Sequence, residues 1–197
     1  HPSNNFVFTV ENYDNNDILK IWDILSKDEI FEINSNDDLI SCVSADLSKH
    51  FITGFNSGII KILDFDKNKL LYQSKPFKSA VENIIFVQNY KIFISMSNLG
   101  NLSIHDCSQN FSQIQVINLE KQCLYPDISL SIDNYFFAIN GEDSKYISVR
   151  NSETFDSKNN VNLNLNKTKN KSEINIAKKL CLINKNLLGA ALCDNSL

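Results

Sequence analysis

The architecture begins to show at Phe51-Ile52-Thr53-Gly54-Phe55-Asn56-Ser57-Gly58-Ile59-Ile60-Lys61-Ile62-Leu63-Asp64. Two short apolar or alternating runs flank Asn56-Ser57, and two such runs around a tight Asn/Gly turn read as a β-hairpin. The second run closes on Asp64, a residue suited to capping the turn that follows a strand.

The last seven residues of that stretch recur along the chain. Asp17-Ile18-Leu19-Lys20-Ile21-Trp22-Asp23 precedes them, and Gly100-Asn101-Leu102-Ser103-Ile104-His105-Asp106 and Lys145-Tyr146-Ile147-Ser148-Val149-Arg150-Asn151 follow. Their sixth positions fall at 22, 63, 105 and 150, which are 41, 42 and 45 residues apart. A period of that length belongs to four-stranded propeller blades. Turns precede each segment at Asn15-Asn16, Asn56-Ser57, Asn98-Leu99 and Asp143-Ser144. Before the turns lie the runs 6–10, 51–55, 92–96 and 135–139, and further upstream the short strand patterns 39–43, 81–87 and 128–132. Weaker outer strands are expected at 29–33, 69–73, 113–119 and 161–165, and a further hairpin at 176–183 and 187–193. Nothing sustains a helical period of 3.6.

Leu19-Lys20-Ile21-Trp22-Asp23 resembles the ending of a WD40 repeat, and residues 51–64 look like the same unit with Leu63 in place of Trp. Residues 81–106 repeat the pattern with Gly100 and Asp106 retained, and the resemblance spans roughly residues 6 to 193. The structural repeat positions are Trp22 and Asp23, Leu63 and Asp64, His105 and Asp106, and Arg150 and Asn151. The expected fold is all-β, a WD40-like β-propeller of about four to five four-stranded blades within a larger propeller of seven or more. The units fall at 6–33, 39–73, 80–119, 127–165 and, in part, 175–197, with 166–173 a mobile Lys/Asn-rich loop. A chain lacking an initiator Met and opening near a second strand fits a segment of a longer protein.

The chain departs from the family. WD40 blades are usually tied by a buried network of Asp, His, Ser/Thr and Trp, but here Trp stands only in the first unit and no Gly-His pair precedes any repeat. Apolar packing must then carry more of the stability, because a half-made buried network costs more than none.

Composition excludes several functions. The net charge of −4 and the single arginine, Arg150, among 19 basic residues argue against general polyanion binding. Five scattered cysteines (Cys42, Cys107, Cys123, Cys181, Cys193) without CxxC spacing read as buried free thiols in a reducing compartment. No long apolar run or secretory signal is seen, so an intracellular site, cytoplasm or nucleus, is expected.

No catalytic constellation emerges. The histidines are the terminal His1, His50 in a polar turn and His105 at the Trp position. His105 and Asp106 are strand neighbours and point to opposite faces, so they form no orienting pair. Asp37-Asp38 and Glu142-Asp143 are acidic turn pairs without a calcium-loop pattern. The expectation is therefore no enzyme, cofactor, metal or small-molecule substrate.

What remains is surface. The resemblance implies that partners bind through loops at one end of the channel. Ser74-Lys75-Pro76-Phe77-Lys78-Ser79 joins one unit to the next and combines a rigid Pro, a large ring and two cations. Phe77 is either an exposed anchor of the kind that dominates interfaces or packed beneath its own loop. Tyr125 and Pro126 occupy the corresponding slot one unit on. The leading function is a non-catalytic protein–protein interaction scaffold among the other proteins of a stable intracellular complex. The alternatives are a reader of a short peptide motif through Asp37, Asp38, Phe77 and Tyr125, or a propeller subunit of a ribonucleoprotein assembly touching RNA through Lys167, Lys169 and Lys171. Direct nucleic-acid binding as the main role is disfavoured by the charge balance.

Overall fold

A computed structural model describes residues 5–13, 16–35, 38–45, 50–64, 66–67, 69–118, 126–140, 146–162, 176–184 and 186–193. Among them lie five antiparallel sheets of two to four strands and one short 3-10 turn, Gln88–Tyr90. The first sheet has three strands, β1 (Phe6–Tyr13), β2 (Asn16–Asp23) and β3 (Glu29–Asn34). The second has four, β4 (Ile40–Ala45), β5 (His50–Phe55), β6 (Ile60–Asp64) and β7 (Lys69–Ser74). So have the third, β8 (Val81–Val87), β9 (Ile92–Ser97), β10 (Leu102–Asp106) and β11 (Ser112–Ile117), and the fourth, β12 (Ile128–Leu130), β13 (Phe136–Asn140), β14 (Tyr146–Asn151) and β15 (Ser157–Asn162). The fifth pairs β16 (Ile176–Asn184) with β17 (Leu187–Cys193). Each strand pairs only with its sequence neighbours, and among the described residues no ladder joins the fifth sheet to the first.

The registers superimpose. Trp22, Leu63, His105 and Arg150 sit opposite Val7, Phe51, Phe93 and Phe137. In all four sheets the ladder to the outer strand slips by one residue immediately before that position, at Ile21/Trp22, Ile62/Leu63, Ile104/His105 and Val149/Arg150. Such bulges sharpen local twist and re-aim the next side chain.

Packing explains why the middle strands read as unbroken apolar runs. Successive residues of a strand face opposite sides of the sheet. Phe51 joins Leu19, Ile21 and Phe31 of the first sheet, whereas Ile52 joins Val81, Ile84 and Phe93 of the third. Phe137 packs with Ile94, Met96 and Ile104, and Ala138 with Leu182 of the fifth sheet. A sheet covered on both faces needs apolar residues at every position, each fully buried Leu, Ile or Phe contributing about 1.5–3 kcal/mol. The outer strands have one covered edge and tolerate polar residues. The second and third sheets meet especially closely: a Cβ on Gly54 would lie 2.6 Å from Cys42 Sγ and 2.7 Å from Val81 Cβ.

Two buried carboxylates stitch neighbouring sheets. Asp17 accepts from the Ile40 amide at 2.6 Å and from Asn12 Nδ2 at 2.7 Å. Asp127 accepts from the Leu180 amide at 2.7 Å, from Lys179 Nζ at 3.1 Å and from Asn83 Nδ2 at 3.2 Å, and so touches three sheets.

Two expectations are corrected. The fourth outer strand takes in Ser157–Asn162, starting four residues before the expected 161–165, so the polar run Ser157-Lys158-Asn159-Asn160 is strand; residues 163–165 lie outside the described residues. Strand β12 stops at Leu130 and leaves Ile132 in a turn. The 166–173 loop lies outside the described residues.

Candidate interaction surface

The loop from β7 to β8 sits on the β5–β6 turn. Gly58 has φ +85°, and a Cβ there would drive into the carbonyls of Phe77 and Ser79. The Asn98 amide donates to the Ala80 carbonyl at 2.9 Å, fixing the far end of the loop on the next turn. Lys75 and Lys78 are exposed and Pro76 is half-buried, but Phe77 is only 5 % exposed and packs with Ile52, Ile60 and Val81. As a solvent-facing anchor Phe77 is therefore excluded. Its ring is drawn under the loop because the turn below it, held by Gly58, leaves an apolar hollow. Pro126 is half-buried beside Asp127, and Tyr125 lies outside the described residues, as do Asp37, Glu142 and Asp143. Asp38 is occupied, its carboxylate accepting from the Ser57 amide at 3.1 Å and Ser57 Oγ at 2.5 Å. Lys167, Lys169 and Lys171 also fall outside the described residues.

The repeat positions form a series in which one socket is filled four ways. Trp22 Nε1 donates to Thr9 Oγ1 at 2.8 Å. The register places Thr53 and Ser95 where Thr9 stands, and Ile139 in the fourth sheet. Diagonally across from Thr53 the socket holds Leu63, and Thr53 Oγ1, buried in a residue 1 % exposed, has no hydrogen-bond partner among the described residues. In the third sheet His105, fully buried and stacked on Phe93 at 4.5 Å, contacts Ser103 Oγ through Nε2 at 2.9 Å and the Phe111 carbonyl through Nδ1 at 3.1 Å. A carbonyl only accepts, so Nδ1 carries the proton and a neutral ring takes the Ser103 hydroxyl proton on Nε2. Burial pushes the His105 pKa below its ordinary value, partly opposed by the Phe111 carbonyl. Arg150 fills the socket in the fourth sheet and donates from Nη1 to the Phe155 carbonyl at 2.9 Å.

Those two carbonyls belong to equivalent strained residues. Phe111 (φ 60°) and Phe155 (φ 62°) are left-handed in the turn after the socket strand, as is Lys27 (φ 66°) in the first sheet. A non-glycine residue holds that conformation only where its surroundings over-determine it. The socket side chain does this at Phe111 and Phe155, and the residue after the socket does it from the other side. Asp23 Oδ1 accepts from the Leu25 amide (2.7 Å), Asp64 Oδ1 from Lys67 (3.2 Å), Asp106 Oδ1 from Ser108 (2.7 Å) and Asn151 Oδ1 from Glu153 (2.8 Å). Hydrogen bonds from the Ser108 hydroxyl and amide hold the Asp106 carboxyl below its usual range. Asp106 thus caps a turn while His105 faces the core.

At the opposite end of the sheets, the β12–β13 turn presents residues the sequence did not single out. Ile132 is 79 % exposed and Tyr135 50 %, and the Tyr135 ring lies edge-on to Tyr90 at 6.3 Å. The alternation 128, 130, 132 disguised Ile132 as a strand residue; the turn signal was Ser131 with Asp133-Asn134. Elsewhere, a cleft of about 350 Å³ runs between β1 and β4, lined by Phe8, Val10, Ile40, Ser41, Cys42 and Val43.

Among the described residues, no group of three or more His, Cys, Asp and Glu converges on one point, and no helix is long and apolar enough to cross a membrane. No protein-family profile matches the chain. The chain is similar to a WD repeat-containing protein 55 homolog from Aedes aegypti, 24 % identical over 86 residues, which is 43 % of this chain and 18 % of that protein. The match therefore spans under a fifth of the relative's length.

Proposed function

We propose that this chain is a non-catalytic protein-interaction scaffold built of WD40-like blades, part of a larger propeller in an intracellular multiprotein complex. The observation that carries the reading is the fourfold recurrence, at one register position, of a bulge, a socket residue and a capped turn. Machinery of that regularity holds loops at fixed spacings, which is what an interaction scaffold requires. Similarity to a WD repeat protein points the same way. The exposed lysines Lys75 and Lys78 at one end, with Pro76 and Pro126, are the loop residues offered to partners there, with Tyr125 in the equivalent slot.

The peptide-reader alternative loses ground, because Phe77 is buried and Asp38 already holds two donors. Native affinity purification of the full-length protein, with partner stoichiometry measured by mass spectrometry, tests the scaffold reading. Near-stoichiometric partners surviving moderate salt are expected; a protein that elutes alone sinks the idea.

A further inference from the structure

We infer that the 131–135 turn, with Tyr90 and Ile183 beside it, is a docking surface for an apolar side chain flanked by lysine or arginine on another protein. The inference rests on the interaction-module reading and places a second binding face at the end opposite Lys75 and Lys78.

The turn is rigid, and its rigidity does not come from Ile132. Ser131, 2 % exposed, donates its amide to the Phe136 carbonyl at 2.8 Å, and its hydroxyl bridges the Phe136 amide (3.0 Å) and Asp133 Oδ1 (2.6 Å). The Asn134 amide reaches the Ser131 carbonyl at 2.9 Å, with Asn134 left-handed at φ 61°. Bonds from outside tie the turn to its neighbours. Asn89 Nδ2 of the third sheet donates to the Asp133 carbonyl at 2.8 Å, and the Ser152 amide to the Tyr135 carbonyl at 2.9 Å. The Ile132 amide donates to the Ile183 carbonyl of the fifth sheet at 3.2 Å. Three sheets therefore hold one turn whose two largest side chains, Ile132 and Tyr135, point into water. Apolar side chains held still before binding lose little entropy on docking, the property that makes an anchor site strong.

The flanking charges select the occupant. The Asp133 carboxyl lies below its usual range because the Ser131 hydroxyl and Tyr135 amide bond it, so it is ionised at neutral pH. Burial raises the Tyr90 hydroxyl, and the nearby Glu153 carboxylate adds to it. Lys91, exposed and left-handed at φ 51°, follows Tyr90 directly in the chain. A second copy docking by two-fold symmetry would set Asp133 and Glu153 near their own counterparts, and an anionic lipid surface would be repelled by both; a basic-flanked protein segment meets neither penalty.

The test is selection of a random 12-residue phage-displayed peptide library on the immobilised full-length protein, followed by affinities for the wild type, Ile132→Asp, Glu153→Gln and a Lys75→Ala/Lys78→Ala control. Enriched peptides are expected to carry Ile, Leu or Phe next to Lys or Arg. Ile132→Asp should weaken them about tenfold or more, as loss of an anchor does. Glu153→Gln should flatten their salt dependence, and the lysine control should bind as the wild type. Exposure predicts that Ile132→Asp melts within about 2 °C of the wild type; if it does not, Ile132→Ser serves in its place. Peptides that bind the wild type and the Ile132 variant alike overturn this surface while leaving the chain a binding module. Enrichment of acidic peptides overturns the partner chemistry. A library from which nothing is retained overturns this surface, while the interaction reading stands or falls on the affinity purification.

Discussion

The first and second sheets share one register around the socket, and of the socket pair they differ in one side chain. In the first, Trp22 spans the gap to Thr9 and spends its only donor on the Thr9 hydroxyl. In the second, Leu63 packs into the cluster with Phe51 and Ala45, and the hydroxyl of Thr53 is stranded in the interior. The apolar replacement kept the packing on that face of the sheet and left a polar remnant beside it. The difference shows that the socket is a two-residue device: changing one member without the other leaves a defect costing about 1–3 kcal/mol.

That comparison can be broken most severely in the third sheet, where the socket is polar throughout. His105→Leu should remove the ring stack and both hydrogen bonds and strand Ser103 and the Phe111 carbonyl, lowering stability by about 3–4 kcal/mol. Thermal unfolding should show a midpoint roughly 10 °C lower. A shift of only a degree or two would mean the buried network contributes little.

Making the first sheet imitate the second comes next. Trp22→Leu should cost about 2–3 kcal/mol, and adding Thr9→Val should recover part of it by removing the stranded hydroxyl. Strict additivity in the double-mutant cycle would contradict the two-residue device.

Smaller and of opposite sign is the repair of the second sheet. Thr53→Val keeps the side-chain shape, deletes the unpartnered hydroxyl and should stabilise by about 1 kcal/mol, raising the melting midpoint by about 2–4 °C. Destabilisation there would show that the hydroxyl is bonded in solution.

The subtlest difference is in pH response. His105 has a folded pKa below its unfolded value near 6.5. Its contribution is therefore intact above about pH 6.5 and is lost below it, as the unfolded chain takes up a proton the native ring resists. Denaturant titrations at pH 7.5 and 5.5 should show the wild type losing more stability than His105→Leu across that interval. Parallel losses would remove His105 from the account.

The socket strands were legible because both physical signals were local: alternation buried on two faces, and a capping Asp or Asn one residue later. β17 lies at 187–193, where alternation puts it. β15 was misplaced because an outer strand with exposed Ser157 and Lys158 has no apolar face to announce it. The surface was less legible still. Whether Phe77 faces water depends on a hollow above Gly58, formed by strands distant in sequence. Asp17 and Asp127 look like ordinary turn acids until the next sheet's amides arrive at their carboxylates. Ile132 satisfied the strand pattern and was absorbed by it.

The close approach of Cys42 to Gly54 and Val81 gives the molecule an internal clock. Burial pushes the Cys42 thiol to about 12, and its Sγ lies 3.7 Å from the Val81 carbonyl, so at neutral pH it stays protonated against the neighbouring sheet. Cys181 is exposed. Under a thiol-alkylating reagent exposed Cys181 marks elapsed chemistry, while half-buried Cys42, protonated and held against Val81, reacts more slowly and gains speed when the second and third sheets part. The ratio of the two labels follows how firmly those sheets are held together, and a partner that clamps adjacent sheets would slow the one without touching the other.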